Sequence, residues 1–107
     1  MKRQAKFTLD YAREVYEHLD FIEHKYHRLI GNTIKQQLTY TPDHRTRNRK
    51  PLEEPTTFGA TWELRFGPDN SFRVYYEVDD SQYVVNILAI GIKVGSRVFI
   101  GGEKVEL

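Results

Sequence analysis

Arg65, Arg73 and Tyr75 fall in two segments, Trp62-Glu63-Leu64-Arg65-Phe66 and Phe72-Arg73-Val74-Tyr75-Tyr76-Glu77-Val78, that alternate apolar with charged or polar residues. Period-two alternation makes each segment a half-buried strand with one dry and one wet face. The wet face collects two guanidiniums and a phenol. Cross-strand neighbours on one face of a hairpin sit about 5 Å apart, so these groups meet rather than scatter. Such a surface suits a phosphate or a nucleobase. A second basic cluster, Arg45, Arg47, Arg49 and Lys50, lies within Arg45-Thr46-Arg47-Asn48-Arg49-Lys50-Pro51 just ahead of the first strand.

The elements that must position these groups are legible from periodicity. Lys6-Phe7-Thr8-Leu9 is a short β-prone run. Ala12, Val15, Tyr16 and Leu19, then Ile22, Tyr26, Leu29, Ile30, Ile34 and Leu38, recur at helical spacing and predict helices over 10–19 and 21–39. Asp20 and Glu23 match a capping box where the stretch divides. Thr41-Pro42 ends the second helix, because proline lacks a donor and disfavours helical geometry in the preceding residue. A long connection from Asp43 to Thr61 carries the basic cluster, and connections of that length are often functional.

Strands are expected over 60–66, 72–78 and 83–92, joined by turns at Gly67-Pro68-Asp69-Asn70 and Asp79-Asp80-Ser81. Val84 to Ile90 is nearly continuous apolar sequence, the mark of a central strand. The fold class is therefore α+β. An N-terminal strand and a two-helix hairpin pack on one face of a twisted, mainly antiparallel sheet, leaving the other face partly open.

The chain of 107 residues is one domain, 1–107, and 39% hydrophobic with 13% aromatic content is globular composition. Without cysteine it has no disulfides, thiolate metal sites or cysteine nucleophile. The net charge of +1 gives no broad attraction to polyanions, so any such site must be local. The charged start Met1-Lys2-Arg3-Gln4-Ala5-Lys6 has no apolar stretch behind it, which fits a cytoplasmic protein without a membrane span. His24 and His27 stand three apart on a polar helical face, with His18 one helix earlier and no third ligand indicated. No metal or small-molecule cofactor is expected. Gly101-Gly102 lacks a following helix, so it is no phosphate loop.

In element order and in residues the chain resembles the RelE/ParE superfamily of type II toxin–antitoxin systems. The likeness runs through the opening strand, two helices ending at Thr41-Pro42, Lys50-Pro51-Leu52, Trp62 to Phe66, Arg73-Val74-Tyr75-Tyr76 and Ile87-Leu88-Ala89-Ile90-Gly91. RelE-like members cut messenger RNA on the ribosome without metal and are neutralised by an antitoxin. The resemblance places that activity on Arg65, Arg73 and Lys93 at the scissile phosphate. Arg45, Arg47, Arg49, Lys50 and Tyr75 would contact RNA. Two positions depart from the pattern: Glu63 stands where RelE has a lysine, and Phe99 where it has a tyrosine. Arginine does not deprotonate at working pH, so Glu63, Tyr75 and His44 remain as proton carriers. Glu63 is either a base held near cations or half of an ion pair. ParE-like members share the fold, lack the catalytic set and act on DNA gyrase. The resemblance thus implies an mRNA-cleaving toxin or, alternatively, a non-catalytic gyrase-directed or attenuated one. In either case the partner is an antitoxin.

Overall fold

The computed structural model describes residues 5–107. The expectation drawn from the first four residues lies outside the described residues. The chain runs β1 (Thr8–Tyr11), α1 (Glu14–Leu19), a 3-10 turn at His24–Tyr26, α2 (His27–Leu38), β2 (Arg49–Pro51), β3 (Trp62–Phe66), β4 (Phe72–Asp79), β5 (Val84–Val94), β6 (Arg97–Ile100) and β7 (Glu103–Val105). One seven-stranded sheet results, ordered β2-β3-β4-β5-β6-β7, with β1 parallel to the first half of β5. All other pairings are antiparallel.

Ile30, Ile34 and Leu38, spaced by four along α2, are fully buried and form one core with Leu64, Phe66, Phe72, Val74, Tyr76, Ile87 and Ile90. Those strand residues take alternate positions, apart from the Tyr75/Tyr76 bulge, so their neighbours Glu63, Arg65 and Arg73 face the other way. The expected α+β architecture is the one found.

Three local readings are corrected. Asp10 and Tyr11 belong to β1 rather than to a helix, because parallel pairing with Asn86 and Ile87 outweighs their place in a helical pattern. Asp20 closes α1, its amide bonding the carbonyls of Glu17 and His18, and Glu23 makes no side-chain cap, so no capping box forms. The second helix begins as the 3-10 turn and becomes α-helical at His27. β2, β6 and β7 are additional to the expected strands.

Gly91 is required by close approach. A Cβ there would lie 2.8 Å from the Phe99 carbonyl oxygen, on the backbone of β6. Gly91 thus lets β6 pass close to β5 at the position paired with Arg73.

The histidines have structural partners. His27 Nε2 lies 2.8 Å from the Ile22 carbonyl oxygen, and the Ile90 amide donates to His18 Nδ1 at 3.3 Å. Burial lowers the His18 pKa, which keeps that nitrogen an acceptor, although Glu14 and Glu17 oppose the shift. No group of three metal-ligating side chains occurs among the described residues.

Candidate functional site

β3 and β4 place Arg65 directly opposite Arg73, and Glu63 opposite Tyr75. Two guanidiniums at facing positions repel each other. Glu63 resolves the conflict, because its Oε1 accepts from Arg65 Nε at 2.5 Å and from Arg73 Nη1 at 3.5 Å. Arg73 also donates from Nε to the Asn70 carbonyl at 3.1 Å. The Arg65 backbone is held by Asn48, whose carbonyl accepts the Arg65 amide at 2.8 Å and whose side-chain amide donates to the Arg65 carbonyl at 2.9 Å.

Glu63 is 4% and Arg73 5% exposed, so this carboxylate–guanidinium contact is buried. The Arg65 side chain, at 38% exposure, reaches solvent. Burial lowers the pKa of Arg73, Glu63 pulls it back up, and Arg65 lowers it further. The group nonetheless stays cationic, as arginine does in proteins.

These side chains line an open groove of about 640 Å³. Lys50 of β2 and Lys93 of β5 line it too, as do Glu53, Glu54 and Glu106. Four side-chain cations and four side-chain carboxylates line it, so its side-chain charges balance. The carboxylates of Glu53, Glu54 and Glu106 are additional to the expected site residues. The adjacent acidic pair Glu53-Glu54 next to Pro55 was the available signal.

Of the expected site residues, Arg65, Arg73, Lys93, Glu63 and Lys50 share this groove. Lys93 is exposed and makes no ion pair among the described residues. Arg45 and Arg47 are exposed on the turn before β2 and do not line the groove. His44 is likewise outside it, beside Asp43 at 3.8 Å.

Arg49 and Tyr75 are not available to RNA. Arg49 is 7% exposed and folds inward, donating to the Thr41 carbonyl and to Thr46 Oγ1, so it pins its own loop. Tyr75 is fully buried with Ala60 and Ala89, and the Phe58 ring meets it edge-on at 6.0 Å. A base cannot stack there. The Tyr75 hydroxyl faces the Glu63 carboxylate but makes no well-formed hydrogen bond to it. Burial first, and then the Glu63 charge, pushes its pKa far above the usual tyrosine range, so it is no base. Because that hydroxyl is unsatisfied, Tyr75→Phe is expected to leave the unfolding free energy within about 0.5 kcal/mol of wild type or to raise it. Urea denaturation reads this directly, and a loss above about 1 kcal/mol would mean the hydroxyl is bonded.

Residues 5–93 match the family described as the ParE toxin of the type II toxin-antitoxin system, parDE. No curated protein matches the chain by sequence. Among solved structures, the toxin–antitoxin complex RelBE2 from Mycobacterium tuberculosis aligns with a TM-score of 0.68 at 19% identity, covering 87% of this chain and 98% of that one. At that identity the likeness speaks to the fold.

Proposed function

The chain belongs to the ParE toxin family of type II toxin–antitoxin systems, and on that premise we propose that this toxin acts in the cytoplasm by binding a protein target, DNA gyrase, rather than by cutting RNA. A cognate antitoxin holds it inactive. One observation carries the reading: the Glu63 carboxylate sits between Arg65 and Arg73. The two cations that would stabilise a phosphorane are thereby engaged by an internal anion.

Proton transfer is equally unsupported at this site. Metal-free cleavage needs a base for the ribose 2′-hydroxyl and an acid for the departing 5′-oxygen. One Glu63 oxygen is already bonded to two guanidiniums, the Tyr75 phenol is buried with a raised pKa, and Phe99 has no proton to exchange. A groove of balanced charge also lacks the local excess of cations on which polyanion binding depends.

The rival reading is cleavage of ribosome-bound mRNA. It puts Arg65, Arg73 and Lys93 on the phosphate, with Arg45, Arg47 and Lys50 along the strand. It draws support from Lys93, which is exposed and lines the same groove as Arg65.

Inducible expression separates the two. Growth should stop with translated messages intact by primer extension and with a DNA-damage reporter induced. Codon-linked cuts in the messages, with a silent reporter, would favour the nuclease.

A further inference from the structure

We infer that Glu63 is a built-in ligand: its carboxylate occupies an oxyanion seat formed by Arg65 and Arg73, and the seat takes a phosphate-class oxyanion once that carboxylate is removed. The inference rests on the reading above in one respect, that Glu63 stays in place in the wild-type groove.

The Arg73 half of the seat is preorganised. Arg65 and Arg73 occupy facing register positions, and one atom, Glu63 Oε1, takes a donor from each. Without that atom, two like charges would face each other with no counter-ion. Arg73 cannot swing away, because its Nε is fixed to the Asn70 carbonyl and the residue is 5% exposed. The Asn48 bonds hold the Arg65 backbone in register, while its half-exposed side chain keeps the freedom to follow a ligand.

The seat also has unused donor capacity. Lys93 lines the same groove without an ion pair among the described residues. A tetrahedral oxyanion has more acceptor atoms than a carboxylate and can engage both guanidiniums through separate oxygens, the geometry for which arginine is suited. Glu63 is thus the residue that sets the ligand class of the groove. With it, the surface is charge-balanced and fits a protein partner; without it, the seat is cationic.

The test uses the full-length wild type, Glu63→Gln and the double variant Glu63→Gln/Arg73→Gln. Each is melted in rising inorganic phosphate and in chloride of equal ionic strength. Phosphate should raise the midpoint of Glu63→Gln by roughly 5 °C or more beyond chloride, as expected of a ligand that binds only the folded chain. The wild type and the double variant should show only the smaller, shared rise that phosphate gives any fold as an excluded salt. If Glu63→Gln does not fold in chloride, folding regained in phosphate by Glu63→Gln and not by the double variant is the same positive result. The inference is overturned if phosphate and chloride act alike on Glu63→Gln, or if the wild type or the double variant responds as strongly. Because this readout needs neither gyrase nor ribosomes, its failure would leave the toxin's target untouched, and a wrong target would leave the seat untouched.

Discussion

Glu63→Ala is expected to lower the unfolding free energy by about 3 kcal/mol, since removing one partner of a buried ion pair strands the other without compensation. The stranded group is Arg73, whose side chain is 6% exposed, like that of Glu63. The value sits at the low end for buried pairs because the Glu63–Arg73 contact is 3.5 Å long and Arg65 can turn to solvent. A strand pattern read alone makes Arg73 an exposed position, where substitution would cost under about 1 kcal/mol. The burial of Arg73 overturns that expectation. The double variant Glu63→Leu/Arg73→Leu should recover most of the loss, because well-packed apolar groups often replace a buried pair at little cost. Urea denaturation of the two single variants and the double gives the coupling, and a Glu63→Ala loss below about 1 kcal/mol would mean that the pair is not buried in solution.

Phe72→Ala should be larger still, about 3–5 kcal/mol, the range for deleting a large buried side chain and leaving a cavity. Phe72 is 1% exposed, meets the Tyr26 ring edge-on at 5.1 Å and lies 5.8 Å from Phe66. It faces the helical layer one residue before Arg73, so it braces the sheet directly behind the groove. Loss of less than about 1 kcal/mol in the same denaturation would show that this contact does not hold helix and sheet together.

Local pattern carried the sheet's centre and missed its margins. β3, β4 and β5 announce themselves by alternation or by a continuous apolar run, because burial on known faces imposes that spacing. Arg97-Val98-Phe99-Ile100 has no alternation, and Glu103-Lys104-Val105 is short and charged, so β6 and β7 left no periodic trace. Their signal lay in the turn between them. Gly101 and Gly102 have φ of +60° and +80°, the backbone that a two-residue hairpin demands.

The candidate site divides along the same line. Alternation correctly grouped Glu63, Arg65 and Arg73 on one face, since side-chain direction follows from strand geometry. It left open whether Glu63 was a base or an ion-pair partner, because that depends on where one carboxylate oxygen lies. Long-range contacts were invisible to it. Phe58 comes from the 43–61 connection to cover Tyr75, and Thr41 turns Arg49 inward. Of the carboxylates that join Glu63 in the groove, Glu53 and Glu54 come from the same 43–61 connection and Glu106 from beyond β7.

If an internal carboxylate disarms the arginine pair as a phosphate clamp, the toxin leaves ribosome-bound message intact. The most direct measurement combines the purified wild-type chain with ribosomes stalled on a defined message and reads the message by primer extension. The expected result is full-length product at every toxin concentration that arrests growth in cells. A cut at the codon in the ribosomal A site would contradict it.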